Sequence, residues 1–315
     1  MSQRKITVLI PVYNEEGSIP ELQSSLVSVL KREKYSYSII YLDDGSTDAT
    51  PARLAEASRS DKNVSVVRFK RNFGKSAALT EGFRRAKGIV VTMDGDLQDD
   101  PEEIPHLLAK LDEGFDLVSG WKFKRRDPIG KTLPSKLFNL VLSSFSGVRI
   151  HDFNCGLKIY REAVYRNLDL YGSLYRFIPA LAGKSGFRVT EIKVNHHPRK
   201  YGKSKFGAAR FLVGLFDFFT VAFLSRYFQS PLHFFGGWGL MAITAGLLLD
   251  GYVLYLRILT GTIQNRLPLF LGGIFLMIVG FQSISLGLIG ELITKTAAKK
   301  SRYVVDEDAE SAPKA

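Results

Sequence analysis

Two rhythms of apolar and polar positions run through the first two hundred residues of this chain. Short apolar runs at Ile6–Pro11, Tyr37–Leu42, Val64–Phe69 and Gly88–Met93 predict buried strands, and Asp116–Ser119 and Arg188–Val194 begin two more. Between them lie segments of helical period. Ser18 with Glu21 reads as a capping box opening a helix to about Arg32, and Asp100 with Glu103 as a second one opening a helix to about Glu113. Thr50 and Pro51 read as N-cap and first helical position, and a further helix follows Gly74 to about Ala86. Strands alternating with helices across short loops predict an α/β domain with a mostly parallel sheet. Ligands bind such sheets outside the carboxyl ends of the strands. Polar clusters follow the first, second and fourth strands there: Asn14–Gly17, Asp43–Asp48 and Asp94–Asp100.

The pattern changes after Lys205. Residues 206–229 mix Arg210 and Arg226 with Phe, Leu and Val, as in an amphipathic helix lying at a membrane interface. Within 230–293, Leu232–Leu256 and Leu267–Ile293 are each long enough to span a bilayer, joined by a short loop from Arg257 to Arg266. Lys295, Lys299, Lys300 and Arg302 follow the second span, which by the positive-inside rule places the tail, and with it the 1–205 domain, in the cytoplasm. Residues 294–315 turn from basic to acidic, with Asp306, Glu307, Asp308 and Glu310, and read as disordered. Asp250, inside the first span, is expected at a helix–helix or subunit contact. The expected protein is therefore an integral membrane protein, of the inner membrane if bacterial, contacting membrane lipids and forming a homo-oligomer.

Composition fits this division. The mean hydropathy of +0.01 averages a mixed first part and a strongly apolar second part. The net charge of +12 suits an anionic lipid surface or nucleic acid, but the chain carries no nucleic-acid-binding motif. The single cysteine, Cys155, excludes an intramolecular disulfide and reads as a small packed residue. The apolar run Ile6–Val12 is too short for a signal-peptide core.

The sharpest chemistry lies in Val91–Pro101. In an extended chain Asp94 and Asp96 point to the same side, with Gly95 between them leaving room for another group to approach and Gln98 adding an oxygen on the same alternation. Hard oxygen donors in this pattern suit Mg²⁺ or Mn²⁺ with a position left for a phosphate-bearing ligand. An acidic turn in water is the plain alternative. Lys75, after Arg71–Gly74 at a helix start, is a candidate for reaching phosphate, against the usual solvated lysine. Adjacent His196 and His197 do not make a metal site, since sequence neighbours seldom chelate one ion and no third His lies near.

Three segments in order, Ile10–Glu16, Asp43–Asp48 and Asp94–Gln98, resemble the inverting glycosyltransferases of the GT-A fold. More narrowly they resemble the polyprenyl-phosphate sugar transferases, which include dolichyl-phosphate mannose synthases and bacterial undecaprenyl-phosphate glucosyl- and aminoarabinosyltransferases. The resemblance covers nearly the whole chain. It implies that Pro11, Tyr13, Glu15, Leu42 and Asp44 line the nucleotide pocket with Asp94 and Gly95. It implies that Asp94, Asp96 and Gln98 hold a divalent cation, Mg²⁺ or Mn²⁺, on the donor diphosphate. Lys122 matches a basic residue that approaches phosphate, with Lys where Arg is common. His151–Tyr160 resembles the segment near the acceptor, so Asp152 joins Asp96 as a candidate catalytic residue; a proposed catalytic Asp of some relatives is here Cys155. Arg199, Ser204 and Lys205 match a segment that closes over phosphates.

The function implied is inverting transfer of a sugar from a nucleotide sugar (a UDP-sugar, or GDP-mannose) to a polyprenyl phosphate at the cytoplasmic face, giving a β-linked lipid sugar. A processive polysaccharide synthase would carry a Gln-x-x-Arg-Trp motif, which this chain lacks. A non-catalytic scaffold or flippase partner is disfavoured by the intact Asp94, Asp96 and Gln98.

Overall fold

The computed structural model describes residues 5–123, 143, 147–172, 174–198, 200, 231–262 and 266–297. The expected interfacial helix, the tail beyond Ala297, and Arg199, Ser204 and Lys205 lie outside the described residues. The contacts divide the chain into a sheet-bearing unit and a unit of long helices.

In the first unit β1 (Lys5–Val12), β2 (Ser36–Asp43), β3 (Val64–Arg68), β4 (Ile89–Thr92), β5 (Leu117–Lys122), β6 (Lys158–Tyr160) and β7 (Val189–Val194) form one sheet in the order β3-β2-β1-β4-β6-β5-β7. All pairings are parallel except those of β6, which runs antiparallel to both β4 and β5. The sheet is thus mostly parallel, and the three-residue β6 adds a strand to those expected.

The helices of this unit are α1 (Ile19–Arg32), α2 (Thr50–Ser60), α3 (Lys75–Arg85), α4 (Ile104–Asp112), α5 (Glu162–Arg166) and α6 (Ile178–Lys184). α1 buries Ile19, Leu22, Leu26, Val29 and Leu30, a helical spacing, and each such side chain contributes about 1.5–3 kcal/mol on leaving water. Strand alternation sorts the two faces. Tyr41 donates its hydroxyl to Gln23 Oε1 of α1 at 2.9 Å, while Leu42 turns the other way, beneath Gly82 of α3.

Both expected capping boxes differ from what forms. Ser18 makes no cap; its hydroxyl donates instead to Gly95 O at 2.6 Å and Glu15 O at 3.0 Å. Asp100 caps a short 3-10 turn at Pro101–Glu103 by accepting the Glu102 N–H, but Glu103 reaches Asn195 and His106 rather than back to Asp100. A distant partner of better geometry won in each case. Thr50 is the first residue of α2 rather than its cap, and accepts the Glu15 N–H at 2.8 Å.

The second unit is a pair of helices, α7 (Pro231–Thr260) and α8 (Leu267–Ala297), long and apolar enough to cross a membrane. Only 17% and 11% of their most apolar windows are buried, which distinguishes them from core helices of a soluble domain. Glycines form their seam: a Cβ at Gly239 or Gly246 would lie 2.5 Å from the carbonyl oxygen of Gly280 or Gly273. Asp250 packs against Gly273 of the facing helix, the carboxylate filling the space a side chain there would take.

Candidate active site

The direction of each strand decides which loops meet. β1, β2 and β4 are parallel, so the segments after Val12, Asp43 and Thr92 leave the sheet at one edge. β5 descends from β4 through α4 and lies two strands away, its partner β7 parallel to it. β6 is antiparallel, and its first residue, Lys158, pairs with Thr92, the last of β4. The segment entering β6 therefore arrives where the one leaving β4 departs.

The first two turns are laced together. Asn14 N–H donates to Ser46 Oγ at 3.0 Å, and Asn14 Oδ1 accepts the Thr47 N–H at 2.8 Å. Pro11, Tyr13 and Glu15 are half-buried along this seam. Leu42, expected to line the same pocket, is 1% exposed and packs under α3. Asp44 accepts the N–H groups of Phe73 at 2.7 Å and Gly74 at 2.9 Å, one on each oxygen, and so positions the residue that follows them, Lys75. Burial raises the Asp44 carboxyl above its ordinary value, with those two bonds opposing.

The third turn holds the carboxylates. Leu97 adopts a left-handed φ of 61°, and Asp96 Oδ1 accepts the Gln98 N–H at 3.2 Å across it. Gly95 does not open the backbone to a ligand, as its place between the aspartates suggests. A Cβ there would meet Val12 Cγ1 at 2.7 Å, so the group that approaches is the protein's own β1. Asp94 pairs with Lys75, its backbone N–H donates to Asp99 Oδ2 at 3.1 Å, and its carboxylate lies against Gly156. Burial pushes the Asp94 carboxyl up, but Lys75, Lys122 and Lys158 outweigh it and hold it at about 2.

Lys122, on β5, reaches this cluster through Asp99, its Nζ 3.3 Å from Oδ1. Burial lowers the Lys122 ammonium, and Asp99, Cys155, Asp94 and Asp152 together raise it above its ordinary value. Asp152 is 2% exposed and accepts the Asn154 N–H at 3.0 Å, within electrostatic reach of Lys122 and Lys158. Cys155 is packed, and burial pushes its thiol up to about 12, which leaves no thiolate for nucleophilic chemistry near neutral pH.

Two residues of the site escaped sequence reasoning. Asp99 is 3% exposed and joins Lys122 to the Asp94 backbone. It lies in an acidic run, five positions from Asp94 and so off the i, i+2 alternation that singles out Asp94, Asp96 and Gln98. Lys158 is 3% exposed, donates to Cys155 O, and has its pKa lowered by burial. A lysine inside the apolar run Leu157–Tyr160 was the available signal.

Among the described residues no group of three His, Cys, Asp or Glu side chains converges on one point. Asp94, Asp96 and Gln98 on one turn nevertheless supply hard oxygens, with fewer protein ligands than a closed cage requires. That fits a cation which keeps waters and takes phosphate oxygens as ligands, as Mg²⁺ and Mn²⁺ do.

A mostly parallel sheet with an acidic turn at its carboxyl edge, lysines around that turn and one reversed strand beside it is the GT-A arrangement of glycosyltransferases. The chain belongs to glycosyl transferase family 2, whose family model matches residues 7–169, and it is a glycosyltransferase carrying two membrane-length helices. It is 34% identical over 298 residues to dodecaprenyl-phosphate galacturonate synthase of Rhizobium johnstonii, covering 93% of this chain and 88% of that protein. It is 34% identical over 292 residues to undecaprenyl-phosphate 4-deoxy-4-formamido-L-arabinose transferase of Proteus mirabilis, covering 92% and 88%. Among solved structures it resembles glucosyl-3-phosphoglycerate synthase of Mycobacterium tuberculosis in complex with Mn²⁺, UDP and phosphoglyceric acid. The TM-score is 0.52 at 20% identity, covering 71% of this chain and 78% of that one.

Proposed function

We propose that this glycosyltransferase moves a sugar from a nucleotide-sugar donor to a polyprenyl phosphate in the membrane, with inversion at the anomeric carbon. The observation that carries this reading is the meeting of the Asp94–Asp99 turn with Lys122 and the Asp152–Gly156 segment at one sheet edge, in a chain with two membrane-length helices. The curated relatives of nearly equal length, named for dodecaprenyl- and undecaprenyl-phosphate, support the acceptor class.

In this reading Pro11, Tyr13, Glu15 and Asp44 hold the nucleoside. Asp94, Asp96 and Gln98 hold a divalent cation on the diphosphate, which supplies charge stabilisation as the leaving group gathers negative charge. The Mn²⁺ of the M. tuberculosis enzyme supports a cation of this kind. A lipid phosphate is already ionised near neutral pH, so its oxygen attacks the anomeric carbon without a strong base. The bond from that carbon to the diphosphate breaks with its electron pair leaving on the nucleoside diphosphate, and an α-linked donor yields a β-linked lipid sugar. Asp152 orients the acceptor or sugar, and Lys122, with Arg199, Ser204 and Lys205, holds phosphate oxygens. The catalytic unit and both termini lie in the cytoplasm, and the protein assembles as a homo-oligomer.

The test is transfer of label from a panel of UDP- and GDP-sugars to undecaprenyl phosphate by the purified full-length protein. One labelled, organic-extractable product is expected, with Asp96→Asn folded but inactive. Label released only as free sugar, or built into long polymer, would refute the acceptor assignment. Undiminished transfer in excess chelator would refute the metal. Thr262→Cys should label from outside intact cells; labelling only after permeabilisation would reverse the topology.

A further inference from the structure

Asp94 is enclosed on both sides in the folded protein. The Lys75 ammonium sits on its Oδ1, and Gly156 lies so close that a Cβ there would be 2.5 Å from the carboxylate carbon and Oδ2. Its neighbour is occupied as well: Asp99 accepts the Asp94 N–H on one oxygen and lies 3.3 Å from Lys122 Nζ through the other. Lysines surround the turn, and one carboxylate oxygen of Asp94, Oδ1, is held by an ammonium.

That ammonium is tied to the nucleotide side of the site. Lys75 is the first residue of α3 and follows directly on Phe73 and Gly74, whose N–H groups both donate to Asp44. Its Nζ also lies 5.2 Å from the centroid of the Tyr175 ring, a second favourable seat for a cation on a flexible four-carbon stem. Asp44 thus holds the backbone just before Lys75, and Lys75 pairs with Asp94, so residues 73–75 join the expected nucleoside pocket to the expected metal ligand.

We infer that Lys75 is a resident cation that competes with the divalent metal for Asp94, and that the diphosphate of the donor frees Asp94 by drawing the ammonium onto itself. The inference rests on the metal and donor assignments above and adds the residue that couples them. A metal without donor must displace an ammonium held by a carboxylate. With donor present, the two phosphates give that ammonium a new partner and give the metal two further ligand oxygens. Each ligand then raises the affinity of the other by the same factor. Lys75 acts here as a positioning residue, excluding metal from the empty site and pairing with the leaving group in the filled one.

The probe is Mn²⁺ binding to the full-length protein in detergent, read from the electron paramagnetic resonance signal of free Mn²⁺, without nucleotide and with saturating UDP or GDP. In the native protein one nucleotide should tighten Mn²⁺ by about tenfold or more, within the usual range of coupling. Lys75→Met should bind Mn²⁺ about tenfold more tightly than the native protein when no nucleotide is present, and its nucleotide enhancement should shrink to a few-fold. Lys75→Arg, which keeps the cation, should behave as the native protein. A lysine that only touches phosphate would leave the nucleotide-free affinity unmoved, so an unchanged value in Lys75→Met, with native circular dichroism, overturns the proposal. If the native protein binds Mn²⁺ no better than Asp96→Asn with either nucleotide, the metal assignment itself fails. If native Mn²⁺ binding is firm but no nucleotide enhances it, the coupling fails and the metal assignment stands.

Discussion

Gly156→Ala is the most direct perturbation of the acidic turn at Asp94, because it adds one methyl group and removes nothing. The new Cβ would stand 2.5 Å from Oδ2 of Asp94, where ordinary contact begins near 3.4 Å, so the carboxylate must retreat by about 0.9 Å. The atom that must move is the end of a side chain that is about a third exposed, so the fold absorbs the change at about 1 kcal/mol or less. The site does not absorb it. Asp94 is held through its backbone bond to Asp99, and in the proposed reaction its carboxylate meets the donor from that position. A displacement near 1 Å in a positioning group costs about a hundredfold in rate, equivalent to about 2.7 kcal/mol of transition-state stabilisation. The assay is single-turnover transfer to a polyprenyl phosphate, with thermal unfolding of the same preparation as control. Transfer within threefold of native, at native stability, would refute the claim that the seating of Asp94 on Gly156 matters to the chemistry.

Asp99→Asn should leave Lys122 without its carboxylate in a setting where Asp99 is 1% and Lys122 13% exposed, lowering the stability of the sheet-bearing unit by about 3 kcal/mol in a denaturant titration. Cys155→Ala should keep most transfer activity, and native protein should resist maleimide at pH 8 until unfolded, because the thiol is buried and its pKa is pushed up to about 12. Rapid labelling of the native form would contradict that. Gly246→Leu should separate α7 from α8, since even a Cβ would meet the Gly273 carbonyl at 2.5 Å, and should appear as early aggregation on size exclusion in detergent while Gly251→Leu, which has open space, does not.

The parts of this protein legible in the sequence are those where one local rule acts alone. β1, β2, β3 and β4 were set by apolar runs bounded by turn residues, and their ends agree with the observed ones to within a residue or two. Asp94 and Asp96 stood out because strand alternation puts them on one side. Ser18 and Glu103 mislead because each has the right spacing for a capping box yet finds a partner 77 or 92 residues away. Least legible was β6, three residues long and reversed, and it does most to build the site. Had the chain entered it parallel to β4, Lys158 would still pair with its neighbours, but the preceding residues would lie at the amino edge of the sheet, and Gly156 would be nowhere near Asp94. Because it runs antiparallel, its pairing of Lys158 with Thr92 returns Asp152, Cys155 and Gly156 to the carboxyl edge. The same register buries the Lys158 ammonium between β4 and β5. A strand of only three residues is held there by its two neighbours, Val90–Thr92 on one side and Leu117–Ser119 on the other. Its position is therefore a property of the assembled sheet, and no window of local sequence contains it.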